Sequence, residues 1–471
     1  MTPDLVFLGA AKLAALIRDK QVSPVELVQL YLERIDALDG RLRAYITVCG
    51  DAALDSARQA EAALVRGETL GPLHGVPFAV KDQFDTAGLR TTVGSLILAD
   101  RVPRESATAV ARLEGAGGIL LGKLNLTEFA LGGTVRFPFG QPRNPWNPDH
   151  DPGGSSSGSG IATAAGLCAA SLGEDTGGSV RTPAAWCGVV GLRPTWGRVS
   201  RHGIFPLAWS MDAAGPITRS VADAALLLQL IAGHDPKDPL TSRRRVPDYR
   251  AALRHEARGL RIGLIRELTS GADTDPEVSA AVTEAARALE GLGAVVEEAS
   301  LPLLPLAGAV FMALADSDGA GLHQAWLRSR PRDYDQGTRR RLLTASLIPA
   351  TAYHQAARAR ALIRRQLLEA LTRFDLLVCP TAHQAAPPIA AVAAPITSRA
   401  QVAGRFFTRR SYVAPASLAA IPALAVPCGF TRSGLPIGLQ FFGRRFDEAT
   451  LLGVGHAYEQ ATGWSLRRPP L

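Results

Sequence analysis

Residues 75–82 read Gly-Val-Pro-Phe-Ala-Val-Lys-Asp, and residues 107–122 read Ala-Thr-Ala-Val-Ala-Arg-Leu-Glu-Gly-Ala-Gly-Gly-Ile-Leu-Leu-Gly. The first holds a short apolar strand at 76–80. The second holds a helix at 107–115 and then a strand at 118–122. A strand, a helix and a strand in succession argue for an α/β sheet. Similar signals lie on both sides. Ser23-Pro24-Val25-Glu26 is a capping box with proline at N1, followed by Leu27, Tyr31, Ile35 and Leu38 at helical spacing. Downstream, residues 161–172 read as an Ala-rich helix, and another helix begins near Ser220. Strands are expected at 260–265, 294–298, 376–378 and 437–442. Helices are expected from Asp275 to Leu289, from Tyr353 to Leu371 and from Asp447 to Ala461. Helices on both faces of one sheet are the expected architecture. Residues 1–70 form an N-terminal helical segment, 71–235 a core that carries the chemistry, and 300–375 a helical elaboration and candidate substrate cap, all within one unit of 1–471.

The chain has 471 residues, long enough to bury a full core without a metal or disulfide staple. Hydrophobic residues make up 47% and charged residues 20%, which excludes wholesale disorder. Cys49, Cys168, Cys187, Cys379 and Cys428 are odd in number and include no CxxC pair, so neither a disulfide framework nor a zinc site is expected. The histidines form no HxH or HExxH, and no metal or organic cofactor is expected. The formal net charge is +8. The runs Arg243-Arg244-Arg245 and Arg339-Arg340-Arg341 lack interleaved aromatics. They read as solvated surface, with an anionic substrate or polyanion as the other reading. The N-terminus lacks the pattern of a signal peptide. Three charge-free stretches, 152–173, 376–398 and 411–431, are broken by proline or open with Gly and Ser, so none reads as a membrane span. A soluble cytoplasmic protein is expected.

The chemistry concentrates in Gly153-Gly154-Ser155-Ser156-Ser157-Gly158-Ser159-Gly160 and in Asp175-Thr176-Gly177-Gly178-Ser179-Val180-Arg181. A phosphate cradle is disfavoured, since no Gly-Lys-Ser/Thr and no preceding strand occurs. A nucleophile elbow centred on Ser156 fits G-x-S-x-G formally, but the strand before it is missing. Its histidine would have to be His383 or His456. Small residues that merely let backbones approach closely explain any one serine. They explain less well two Ser/Gly clusters flanking one helix. A serine activated by a neutral lysine is the remaining reading. Lys81 closes the apolar strand and Lys123 is its rival. Either must be desolvated to act as a base.

These segments resemble the amidase signature family. The resemblance is densest over Gly75 to Asp82, Gly153 to Gly158, Asp175 to Pro183, Cys187 to Thr195, Gly197 to Ser200 and Gly215 to Ile217. It implies a large mixed central sheet covered by helices, and a Ser–cis-Ser–Lys triad on Ser179, Ser155 and Lys81. In that family the cis serine lies 24 positions before the nucleophile, as Ser155 does before Ser179. The resemblance also implies an oxyanion hole from the backbone of Thr176, Gly177, Gly178 and Ser179, with support from Ser156, Asp175 and Arg181.

On this reading the chain is expected to be an amidohydrolase that cleaves a C–N bond of a small amide, urea-type or carbamate (urethane) substrate through a serine acyl-enzyme. No nucleic acid binds directly, there is no membrane, and a homodimer is left open. The alternative is a glutaminase or amidotransferase A subunit that works with a tRNA-binding partner, to which residues 173–235 are similar. Arg410 ranks that alternative second, because a cation near the position expected to hold glutamine's amino group would repel it. Phe137, Phe139, Phe205, Trp209, Phe406 and Phe407 are candidate apolar contacts of the substrate pocket.

Overall fold

The computed structural model describes residues 3–68, 71–394 and 396–471. Eleven strands form one sheet among these residues. They are β1 (Tyr45–Val48), β2 (Pro77–Lys81), β3 (Ile119–Leu124), β4 (Ala170–Glu174), β5 (Val190–Arg193), β6 (Ala214–Thr218), β7 (Arg261–Ile265), β8 (Val295–Ala299), β9 (Leu376–Pro380), β10 (Ala423–Phe430) and β11 (Pro436–Gly443). Their order across the sheet is β1-β3-β2-β4-β6-β5-β10-β11-β9-β7-β8. The sheet is mixed. Strand β2 runs parallel to β3 and β4, and β7 runs parallel to β8 and β9, while the strands between these groups pair antiparallel.

Alternate residues of β9 enter two different cores. Leu376 and Val378 pack in the core that includes the helices Ala10–Arg18, Pro24–Leu42 and Val221–Ile231. Leu377 and Cys379 pack in the core that includes the helices Ala307–Ser329, Ala350–Arg373 and Arg409–Ala419. Side chains of a strand point alternately to opposite faces, so the two cores cover the two faces of the sheet. The expected α/β architecture is therefore the observed one.

Five strands escape the sequence reading: β1, β4, β5, β6 and β10. Strands β4, β5 and β6 are buried along their whole length. Strands covered on both faces show no alternation, and their short apolar runs resemble helix. For this reason the helix expected over 161–172 is divided. Ser157–Ala164 is the helix, and β4 begins at Ala170. None of the described helices is long and apolar enough to cross a membrane.

Register places the site. Val80 of β2 lies beside Leu172 of β4 in a parallel pair. Lys81 and Glu174 thus leave the sheet side by side at the carboxyl ends of their strands, where open α/β sheets place ligands. The helix Ser157–Ala164 starts against this edge because Gly158 carries no side chain. A Cβ there would lie 2.2 Å from the Ala44 carbonyl oxygen and 2.5 Å from the Asn125 nitrogen. Gly158→Ala should therefore cost at least about 1–3 kcal/mol in denaturant unfolding, because it overpacks against backbone. Gly321→Ala, on an exposed helix face with nothing within 4 Å, should instead gain up to about 1 kcal/mol.

Candidate functional site

A cavity of about 360 Å³ opens over the ends of β2 and β4. Ser155, Thr176, Gly177 and Ser179 contribute to its lining. Lys81 is wholly buried beneath them and donates from Nζ to Ser155 Oγ at 2.8 Å. The Gly154–Ser155 peptide is cis. Ser156 is also buried. Its backbone N–H donates to the Ser179 carbonyl at 3.2 Å, and its Oγ donates to the Glu174 carbonyl at 3.3 Å. The structure therefore brings the loop at 153–160 and the loop at 175–181 onto one lysine.

Lys123 does not compete for this place. Its Nζ donates to the Phe84 carbonyl and, at 2.7 Å, to Thr91 Oγ1, and lies 3.4 Å from Asp82 Oδ1. Its charge is spent inside the fold. Lys81 reaches a serine that faces the cavity.

The four expected oxyanion donors are not equivalent. The Gly178 N–H already donates to Asp175 Oδ1 at 2.8 Å. This corrects its place among the donors to the cavity. Gly178 serves instead by its φ of +104°, which turns the chain in a way that residues with a Cβ avoid. Its neighbours Thr176, Gly177 and Ser179 line the cavity.

Glu174 belongs to the site although no motif points to it. Its Oε2 lies 3.6 Å from Lys81 Nζ, and both side chains are buried. The Thr176 hydroxyl lies 2.9 Å from Glu174 Oε1 and 2.8 Å from Asp212 Oδ1. One hydroxyl has one hydrogen, so one of the two carboxyl groups must hold a proton to complete both bonds. Asp212 accepts from the backbone N–H of Leu207 and of Ala208, which favours its anion. Glu174 Oε2 has no hydrogen-bond partner. The proton falls to Glu174. Burial pushes Glu174 up, and the Asp212 charge adds to the rise. Burial likewise pulls Lys81 down, against the pull of Glu174, Asp212 and Asp175. A lysine beside a neutral acid can hold a free amine. Only its place directly before the Asp175–Arg181 cluster could have flagged Glu174 in the sequence.

Asp175 braces the opposite side. Its carboxylate accepts from Arg181 Nε and Nη2, each at 3.1 Å, from Arg193 Nη1 at 3.0 Å, and from the Gly178 and Val180 amides. Burial alone would raise its pKa, but the two guanidinium groups hold it well below the usual carboxylate range. Asp175→Asn would strand two buried cations. It should cost about 3–5 kcal/mol in denaturant unfolding, since breaking a buried ion pair leaves an uncompensated charge.

The expected pocket aromatics divide. Phe137 and Phe406 line the cavity. Phe205 does not. It packs with Phe129, His323 and Trp326 in a separate aromatic group. Trp209 is 60% exposed and lies outside the cavity lining. The run Arg339-Arg340-Arg341 is also corrected. It is not merely solvated surface, because Arg340 and Arg341 enter the cavity wall with Arg409 and Arg410. Sequence spacing could not show that a helix of the 300–375 segment turns this face to the loops. No cluster of His, Cys, Asp or Glu that could hold a metal occurs among the described residues.

A family model described as Amidase matches residues 26–452. The A subunit of glutamyl-tRNA(Gln) amidotransferase from Moorella thermoacetica is 43% identical over 492 aligned positions, covering 99% of each chain. The structure of the same-named subunit from Thermotoga maritima is 33% identical and covers 98% of this chain and 96% of that one, with a TM-score of 0.82. A structure described as a vestigial protein complex that reveals the origins of an s-triazine catabolic enzyme is 33% identical. It covers 98% of this chain and 100% of that one, with a TM-score of 0.89.

These relatives reverse the order drawn from sequence. A stand-alone hydrolase of small amides, ureas or carbamates ranked first, yet near-full-length relatives at 40–43% identity are named as the amidotransferase subunit. Nothing supports a urethane or carbamate preference. The relatives' name refers to a tRNA, which stands against the expectation that no nucleic acid binds directly. Nor does Arg410 exclude glutamine. It does line the cavity, but glutamine carries a carboxylate beside its ammonium. A cation there selects which end is held and does not exclude the molecule.

Proposed function

We propose, from the premise that this chain belongs to the amidase signature family, that it is the glutaminase-type A subunit of an amidotransferase. It releases ammonia from the side-chain amide of glutamine for a partner that binds tRNA. The observation that carries the amide chemistry is the buried Lys81 Nζ held 2.8 Å from Ser155 Oγ, beneath a cavity that Ser179 lines. The kinship at 43% identity carries the choice of amide.

In this reading neutral Lys81 takes the proton of Ser155, which takes that of Ser179. Ser179 Oγ attacks the carboxamide carbon. Backbone N–H groups of Thr176, Gly177 and Ser179 receive the developing oxyanion, and one such donor is worth about 3–4 kcal/mol where measured. The proton returns through Ser155 to the leaving nitrogen, ammonia departs, and water hydrolyses the acyl-enzyme to glutamate. The 300–375 segment serves as the substrate cap, since Phe311 and Arg341 line the cavity.

Ammonia release from glutamine is the direct test, with the chain alone and with tRNA-binding partner subunits of the relatives' type. Release that fails in both settings overturns the assignment. Ser179→Ala should lower the rate by about 10⁴-fold or more with the fold intact, and a fluorophosphonate should label Ser179.

Activity should rise with pH, because the free amine is the base and protonation removes it. The limb should lie near 8, where burial places Lys81, and not at the ordinary lysine value. Glu174→Gln is neutral like the protonated acid it replaces, so it should leave that limb in place in a kcat/KM profile, where loss of an anionic partner would move it toward acid. Lys81→Arg should stay inactive, since guanidinium remains protonated.

A further inference from the structure

Arg410 is a buried cation without an ion-pair partner, and Asp316, whose charge reaches it, is bonded to Arg341. Arg410 is 8% exposed, and no carboxylate of the described residues lies within ion-pair distance of it. Its Nη1 donates to the Phe406 carbonyl at 3.0 Å. Arg341 is different. Its Nε donates to Asp316 at 3.1 Å and its Nη2 at 2.5 Å, while Nη1 donates to the Gly132 carbonyl at 3.3 Å with one N–H and keeps the other as its free corner. The two guanidinium groups converge. From the point where a Gly132 side chain would begin, Arg410 Nη2 is 3.5 Å away and Arg341 Nη1 is 3.6 Å away. Gly132 has no side chain to fill that point.

The other charges around the cavity do not neutralise Arg410. Arg409 lies over the Trp186 ring and Arg340 is exposed, so both add positive charge. Asp151 lines the cavity, but its Oδ1 accepts from the Gly153 amide and its charge acts on Arg409. Asp316 is spent on Arg341. A buried charge held without a partner is costly unless something arrives to pair with it.

We infer that Arg410 and the free corner of Arg341 form an anion subsite that takes a carboxylate on the acyl side of the amide substrate. The substrate class is then an ω-amide of a dicarboxylic acid. A planar carboxylate has two oxygens, and Arg410 Nη2 and Arg341 Nη1 offer it one N–H each. The inference rests on the reading that the amide is cleaved at Ser179. It also goes further than glutamine. No free carboxylate stands near Arg410 to receive an α-ammonium, so the carboxylate is required and the ammonium is not.

The test uses full-length Ser179→Ala protein, in which ligands persist, titrated calorimetrically with glutaramate, glutamine and pentanamide. Glutaramate should bind about 30-fold or more tighter than pentanamide, in line with the penalty for unpairing a buried charge, and at least as tightly as glutamine. Arg410→Gln in this background should collapse the glutaramate-to-pentanamide ratio, and Arg410→Lys should restore part of it. The thermal midpoint of unliganded Arg410→Gln should rise, where loss of a merely structural residue would lower it. Glutaramate binding no tighter than pentanamide, or a ratio that Arg410→Gln leaves intact, overturns the subsite. Arg410-dependent binding of glutaramate without any binding of glutamine keeps the subsite and removes the glutaminase reading. Glutamine turnover by the wild type with an unmoved ratio does the reverse.

Discussion

The buried carboxylate of Asp175 holds the site in one piece. It leaves the end of β4 and meets Arg181 from the following helix and Arg193 from β5. Arg181 continues to Gln440 Oε1 on β11 at 2.9 Å. Gln440 then donates to the Tyr412 carbonyl at 2.7 Å, on the helix that also carries Arg410. One anion therefore fixes the turn that presents Ser179 and, through two further hydrogen bonds, ties that turn to the far wall of the cavity.

Burial lowers Lys81 against the pull of Glu174, Asp212 and Asp175. Two lysines at neighbouring strand ends share the same burial but not the same fate, since Val80 of β2 lies in register with Lys123 of β3. Lys123 has Asp82 as an ion partner and two oxygens as acceptors. Lys81 has a serine at close range and a carboxyl group that burial and a second carboxylate press toward its neutral form. A paired lysine is a strut. A lysine whose partner is held neutral is a base in waiting, and the difference is made by side chains that belong to other strands.

Much of this was legible in the sequence, and what was not has a physical reason. The spacing of Ser155 and Ser179 and the apolar run before Lys81 were visible because loops and strand ends keep local signatures. The helix at 23–38 was visible because only one of its faces is buried. Strands β4 to β6 were not, because burial on both faces erases alternation. Glu174 was missed because its meaning lies in Lys81 and Asp212, which are distant in sequence. Phe205 and Trp209 were misplaced because an aromatic residue near a motif says nothing of which way its ring turns. The run at 339–341 looked like surface because three consecutive arginines on a helix cannot share one face. Here one is exposed while another is drawn inward by Asp316.

Arg410 shows how far residue-by-residue inference reaches. The resemblance put it near the position expected to hold glutamine's amino group, it does line the cavity, and the ranking drawn from it is reversed by the relatives. The error lay in letting one cation decide for a whole ligand, when a charge acts only on the part of the ligand beside it. Within a few ångströms a guanidinium repels an ammonium and attracts a carboxylate, and an amino acid presents both. Which of them meets Arg410 depends on where the amide must lie for Ser179 to reach it. On the proposed mechanism the triad therefore sets the orientation of the substrate, and the arginine wall then decides what that orientation must carry.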